Sequence, residues 1–201
     1  MTPDRGEYFR AEIPLVDQHG NCFLTVASTT YEPVPPMELA MTLPPECDFQ
    51  HAFYSTAEET TLHRLPFRRE TGNRIVFQLP ELRSAAALYL FRKHEPLLGI
   101  KIDGARQFVK VDPHTPEFRP GERFRTTVQL ANPNSSPLPA GTLRLRGLQD
   151  WKVSAPQKTR VLAGGEIAEY QFEVVIPKES SMFRPNFIYP LVAEFASEGR
   201  R

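Results

Sequence analysis

The fold is decided by a run that reads Phe124-Arg125-Thr126-Thr127-Val128-Gln129-Leu130. Its apolar residues fall on even-numbered positions, and a period of two is that of a β-strand with one buried face. A second run, Leu143-Arg144-Leu145-Arg146, repeats the pattern, and its leucines are predicted to face inward and its arginines to face water. Both runs predict strands of an antiparallel sheet with one solvated face.

Short alternating segments of this kind extend through the whole chain, and Pro or Gly closes them about every 8 to 12 residues. Amphipathic helix patterns are nearly absent. The predicted strands lie near residues 8–13, 22–28, 38–43, 50–54, 62–67, 74–79, 86–92, 124–130, 143–146, 151–154, 158–162, 168–176 and 187–195. Pro190 favours an edge strand for the last of them. The sequence therefore predicts an all-β protein of two antiparallel β-sandwich domains, residues 1–104 and 105–201.

An apolar segment precedes this boundary and carries Leu97, Leu98, Ile100 and Ile102 within six positions. An exposed tether would carry fewer apolar side chains, so one interpretation buries some of them in a packed seam between the domains. Replacing Ile102 with a charged residue would then loosen the contact between the two domains. The other interpretation makes the segment the last strand of the first sandwich, with no interface.

Composition excludes several classes of function. Lysine and arginine total 24 and are balanced by 24 aspartates and glutamates, so no net field attracts nucleic acid. No stretch approaches the roughly 18 apolar residues of a membrane span, and the first ten residues lack the apolar core of a signal peptide. We predict no nucleic-acid partner and no membrane span. The composition fits a cytosolic protein and equally a piece of a longer exported chain.

Two cysteines, Cys22 and Cys47, have neither metal-site nor redox-motif spacing. Cys22 shares the inward face of its strand with Leu24, and Cys47 shares the odd parity of the inward-facing Leu39, Met41 and Leu43. If these two strands pair as a hairpin, the parity allows a disulfide between Cys22 and Cys47. Pro44 and Pro45 interrupt the ladder before Cys47, and buried unpaired cysteines are common, so both states remain open.

Motifs that carry chemistry are missing. The histidines show no i, i+2 or i, i+4 pair that would aim two ligands at one metal, and they stand at 19, 51, 63, 94 and 114. His51, His63 and Asp48 could converge across strands, but separate surface or half-buried histidines are the simpler interpretation. No nucleophile motif and no glycine-rich phosphate loop occur. We predict no enzyme activity, no cofactor and no metal.

Four short motifs in the second half carry a family resemblance. They are Phe118-Arg119-Pro120-Gly121-Glu122, the Leu-x-Asp-Trp-Lys-Val run at 148–153, Leu162-Ala163-Gly164-Gly165-Glu166 and Val174-Val175-Ile176-Pro177. From about Val109 to Phe195 the chain resembles immunoglobulin-like accessory domains found beside bacterial alpha-galactosidases and proposed carbohydrate-binding modules. It is similar, too, to bacterial cell-adhesion modules of this fold. In that family a glycine usually precedes the tryptophan, where this chain has Asp150. The resemblance implies an immunoglobulin-like second domain.

The first half, from about Leu24 to Phe91, is similar to the β-sandwich domains that follow the catalytic barrel of many bacterial glycoside hydrolases. The similarity lies in two strands joined by a proline-containing corner, 74–82 and 86–90. Together the resemblances imply a non-catalytic accessory region of a larger, exported, carbohydrate-associated bacterial protein, either secreted or periplasmic. Its partner would be a catalytic or adhesive domain of the same parent chain.

An alternative function is a carbohydrate-binding module that acts through exposed aromatic rings on which sugars stack. The candidate side chains are Tyr31, Tyr54 and Trp151, and the partner would be a polysaccharide. For Trp151, burial in a sandwich core is the simpler expectation.

Overall fold

The computed structural model describes residues 9–11, 15–28, 33–57, 61–92, 94–102, 119–180 and 190–198. All regular structure in these residues is β-strand, and every paired strand runs antiparallel to its neighbour, which confirms the all-β prediction. Within the described part of the chain no helix is long and apolar enough to cross a membrane.

The first half contains nine described strands, which form two sheets. Their bounds are β1 Phe9–Ala11, β2 Leu15–Val16, β3 Cys22–Ser28, β4 Met37–Thr42, β5 His51–Thr56, β6 His63–Arg64, β7 Phe67–Arg69, β8 Arg74–Leu79 and β9 Ala85–Phe91. One sheet has the order β1-β3-β9-β5-β6, with β2 also paired to β3, and the other has the order β4-β8-β7. The predicted strands at 22–28 and 74–79 match the observed bounds.

The remaining described strands form two further sheets. Their bounds are β10 Leu97–Ile102, β11 Arg123–Ala131, β12 Gly141–Arg146, β13 Lys152–Val153, β14 Gln157–Lys158, β15 Ile167–Val175 and β16 Val192–Ser197. The sheets have the orders β10-β11-β15-β13 and β14-β12-β16. Among the described strands of its sheet, β16 lies at the edge; it begins at Val192, so Pro190 precedes it and does not interrupt it.

The first core lies between the two sheets of the first half. Cys22, Leu24 and Val26 of β3 are buried on alternate positions and belong to the same cluster as Leu39 of β4 and Phe77 of β8. This sandwich-like packing explains the alternation in the sequence. It also corrects the hairpin interpretation, because β3 pairs with β9 while β4 pairs with β8 in the facing sheet. The Pro-rich connection after β3 leads from one sheet to the other.

The second core has the same construction. Phe124, Val128 and Phe172 from one sheet pack with Leu143 and Leu145 from the other. The inward prediction for the even positions of β11 is confirmed, and the arginines that alternate with the leucines of β12 are exposed. Strands β11 and β15 pair along nine consecutive positions, from Arg123 opposite Val175 to Ala131 opposite Ile167.

The apolar segment before residue 104 belongs to the second half. Strand β10 pairs along its whole length with β11, and Leu98, Ile100 and Ile102 pack against the second core. The interpretation that makes this segment the last strand of the first sandwich is therefore wrong. The change from one set of sheets to the other takes place between Phe91 and Leu97. The predicted domain boundary at 104/105 lies outside the described residues.

A third apolar cluster joins the two halves. Phe53 and Leu62 from the first half and Ala131 from β11 are buried together, with Leu97 and Ile167 packed against them. The backbone N–H of Leu62 donates to Oε1 of Gln129 at 2.6 Å inside this contact. The odd positions of β11 are buried from residue 127 onward, so the second part of this strand is buried on both faces. We call this contact the seam.

We expect Ile102→Ala to lower the free energy of unfolding by about 1–3 kcal/mol, because its side chain packs in the second core. Lys101→Ala, on the exposed face of the same strand, should change it by less than about 0.5 kcal/mol. Urea unfolding of the two variants checks this prediction. Equal losses in both variants would mean that β10 contributes no packing to that core.

Candidate functional site

A polar cleft of about 830 Å³ lies where the two halves meet. Its walls come from the turn before β3, the segment before β5, the residues between β9 and β10, and the loop after β11. Its lining side chains are all polar or charged, and they are Asp17, His19, Asn21, Asp48, Gln50, Arg92, His94, Glu95, Asn134, Ser135 and Ser136. Clefts between domains are common ligand sites, and this volume is within the usual range for them.

The turn at 17–21 forms one wall and is held by a carboxylate. Asp17 accepts hydrogen bonds from the backbone of His19 at 2.8 Å and from the backbone and side-chain nitrogens of Asn21, each at 2.9 Å. These bonds favour the charged carboxylate, so the Asn21 side chain foremost holds the pKa of Asp17 below its ordinary value. Gly20 has φ 77°, and a Cβ there would lie 2.6 Å from the carbonyl oxygen of Glu46. Only glycine fits this turn.

Asn21 connects this turn to the end of β9. Its side chain is buried, and its Oδ1 accepts the backbone N–H of Arg92 at 2.9 Å. The guanidinium of Arg92 is at the rim, with its Nε 3.8 Å from Oδ2 of Asp48. Both charged groups are largely exposed, so their attraction contributes little to stability and both remain accessible to a ligand.

The opposite wall is held by a reciprocal pair of hydrogen bonds. The backbone N–H of His94 donates to Oδ1 of Asn134 at 3.1 Å, and Nδ2 of Asn134 donates to the carbonyl of His94 at 2.9 Å. Below them the buried Asn132 accepts the Asn134 N–H at 3.1 Å and donates to three backbone carbonyls, of Ser136, Leu162 and Ala163. The ring of His94 stacks on Phe91, with centroids 4.2 Å apart. Hydrogen bonds within the protein therefore fix this wall.

The side chain of His51, from the first half, packs against Gly164 and Gly165 of the second half, next to the cleft. A Cβ on Gly165 would lie 2.5 Å from Nδ1 of His51, and one on Gly164 would lie 2.7 Å from the carbonyl oxygens of Asn134 and Ser135. Gly165 also has φ 72°. Burial, aided by the nearby charge of Arg64, lowers the pKa of His51.

The polar groups of the cleft can bind a ligand through charge and hydrogen bonds. Three carboxylates, of Asp17, Asp48 and Glu95, outnumber the single guanidinium of Arg92, while amides and hydroxyls supply both donors and acceptors. In the described part of the chain no three His, Cys, Asp or Glu side chains are grouped to hold a metal ion.

The aromatic candidates lie in different places. Tyr31 falls outside the described residues. Tyr54 is half-buried against the first core, and its ring stacks on His63 with centroids 5.0 Å apart. Trp151 is half-buried against the second core, edge-on to Phe124. Tyr54 and Trp151 therefore do not form one platform, and neither lines the cleft.

The histidine and aspartate candidates also lie apart, and the two cysteines form no disulfide in this structure. His51 meets the glycine pair, His63 stacks on Tyr54, and Asp48 lines the cleft. Cys22 and Cys47 are buried free thiols. Sequence reasoning missed the cleft, although the 18–21 turn and the polar loop from Asn132 were visible as loops. Nothing in the sequence indicated that these two loops are neighbours.

No protein-family model and no curated protein sequence matches this chain.

We expect the acid sensitivity of the protein to depend partly on His51. Its folded-state pKa is below the unfolded value of about 6.5, so protonation favours the unfolded chain and stability falls as pH drops through that value. His51→Gln should reduce the loss of thermal midpoint between about pH 7.5 and pH 5.5. His19→Gln, at the exposed turn, is the control. An identical pH profile for His51→Gln and the wild type would contradict the assignment.

Proposed function

We propose that this chain is a non-catalytic accessory region of a larger, exported, carbohydrate-associated bacterial protein. In this proposal the two halves are β-sandwich domains, the second of them immunoglobulin-like. Together they space or orient a catalytic or adhesive domain of the same parent chain. The parent protein would be secreted or periplasmic.

The observation that carries this proposal is the seam. A spacer can fix an orientation only when its domains do not hinge, and a buried contact between them opposes hinging. Opening the seam would expose Phe53, Leu62 and Ala131 to water. It would also break the hydrogen bond between the Leu62 N–H and the Gln129 carboxamide. Loss of a buried hydrogen bond adds to the loss of apolar burial.

The second half supports the immunoglobulin-like part of the proposal. Two sheets enclose its core, and its single tryptophan, Trp151, packs there against Phe124. A tryptophan packed in the core is a usual feature of immunoglobulin-like sandwiches.

We expect Gly165→Ala to loosen the two halves, and Gly72→Ala is its matched control. Both glycines have φ 72°, so each alanine introduces a left-handed residue, which costs about 1–2 kcal/mol. Nothing lies within 4 Å of a Cβ on Gly72, whereas a Cβ on Gly165 meets the ring of His51. Only the Gly165 variant should also weaken the contact between the two halves.

Small-angle X-ray scattering and calorimetry measure this difference. The wild type should scatter as a single elongated body and unfold in one transition, and Gly165→Ala should broaden the distance distribution or divide the transition. Gly72→Ala should only lower the transition temperature. A wild type that already needs several hinged conformers to fit its scattering would overturn the spacer proposal.

A second candidate function, carbohydrate binding, is favoured by the cleft. Planar amide, carboxylate and guanidinium groups are those that bind sugar hydroxyls, and Gln50, Asp48 and Arg92 supply them together. The surplus of carboxylates disfavours anionic ligands, and the absence of apolar residues from the lining disfavours lipids. A neutral oligosaccharide is the ligand class that this lining suits.

We expect titration calorimetry with neutral oligosaccharides to detect saturable binding under this second candidate. Arg92→Ala should weaken binding at least about tenfold, which corresponds to about 1.4 kcal/mol. The Asn21 bond uses only the Arg92 backbone and is kept in this variant. Arg83→Ala, an exposed arginine outside the cleft, is the control.

Three outcomes separate the alternatives. Binding that survives Arg92→Ala and is lost in Tyr31→Ala or Tyr54→Ala assigns the sugar to the aromatic residues. Saturable binding that is equally weakened by Arg92→Ala and Arg83→Ala points to charge alone and removes the cleft. No binding to any neutral oligosaccharide rejects the second candidate and leaves the spacer proposal untouched.

A further inference from the structure

Cys22 and Cys47, the two cysteines of the chain, meet inside the first core. Cys22 begins β3 in one sheet, and Cys47 lies in the connection that follows β4 of the facing sheet. Both are buried in the same apolar cluster, and each thiol influences the pKa of the other. The pairing therefore crosses the core, instead of joining neighbouring strands.

The backbone holds the two cysteine segments side by side independently of the sulfur atoms. Gly20 approaches the Glu46 carbonyl so closely that a Cβ would lie 2.6 Å from that oxygen. The Cys47 N–H donates to the carbonyl of Pro44 at 3.0 Å, which fixes the turn that presents its side chain. The close approach of Gly20 to Glu46 and the burial of both thiols in one cluster therefore hold the two side chains in the same region of the core.

We propose that Cys22 and Cys47 form a disulfide that covalently ties the two sheets of the first core. The two thiols reduce one molecule of a small disulfide such as oxidised glutathione. One cysteine attacks it to give a mixed disulfide and releases a first glutathione thiol. The second cysteine attacks the protein sulfur of that intermediate, which forms the Cys22–Cys47 bond and releases a second glutathione thiol. Both cysteine protons pass to solvent or to the departing thiolates.

Burial of the two thiols determines at which stage of folding this bond can form. It raises the pKa of the Cys22 thiol to about 12 and raises that of Cys47, and only thiolates attack disulfides. In the folded protein both thiols are therefore poor nucleophiles. The bond forms while the chain is folding and the sulfur atoms are still in water, and the folded core then shields it from reductants.

The tie would act on two features of the fold. The two sheets share a core but no strand pairing, so the disulfide adds a covalent link between them. It also anchors the 17–21 turn and the segment with Asp48, both of which line the cleft. Stable disulfides belong to oxidising compartments, so the bond suits an exported protein but does not depend on the proposed function.

The experiment refolds the reduced, denatured chain in a mixture of reduced and oxidised glutathione. The product is then denatured without reductant, treated with iodoacetamide and analysed by intact mass and peptide mapping. We expect no alkylation, a mass lower by two hydrogen atoms, and one linked peptide that contains Cys22 and Cys47. Alkylation of both cysteines, or a link only between two chains, overturns the proposal.

Stability tests whether the bond ties the sheets. The disulfide-bonded protein should melt about 10 °C above the same protein reduced by dithiothreitol in denaturant and refolded. Cys22→Ala and Cys47→Ala should each melt at the same temperature with and without reductant. If either variant fails to fold, the comparison of bonded and reduced wild type still shows whether the disulfide stabilises the fold. An equal melting temperature for these two forms overturns the role as a tie.

Discussion

The burial of the second part of β11 on both faces is the constraint on which the rest of the structure depends. Phe124 and Val128 point into the second core, while Ala131 on the other face is covered by Phe53 of the first half. A shift of one residue in this strand would exchange the two faces. The register is fixed further because the buried Leu62 N–H needs the Gln129 carboxamide at one position.

The position of the cleft follows from this seam. Once β11 is fixed, the loop that begins at Asn132 lies beside the residues between β9 and β10, and Asn134 pairs with His94. The glycine pair at 164–165 lets His51 approach the same region. Packing of one strand thus brings together four loops that are far apart in the chain.

The walls of the cleft are preorganised by hydrogen bonds that use backbone and amide groups. Asp17 and Asn21 order one wall, and Asn132 orders the other. Arg92 and Asp48, in contrast, are exposed and only loosely paired. A site with a rigid frame and accessible polar groups loses little entropy when it binds a ligand.

The sequence by itself determined most of the strands and their inward faces, because a period of two is local and the turns at Gly20, Gly72 and Gly165 require positive φ. The run predicted as one strand at 62–67 is instead β6 and β7, which lie in different sheets. Leu24, Val128 and Leu143 are buried as their alternation predicts. Which sheets face each other was decided only by the tertiary structure. Three features depend on packing between distant segments: the assignment of β10 to the second half, the burial of Cys22 and Cys47 in one cluster, and the convergence of Asp17 with Asn134. Local alternation carries no information about which distant surfaces will be buried together.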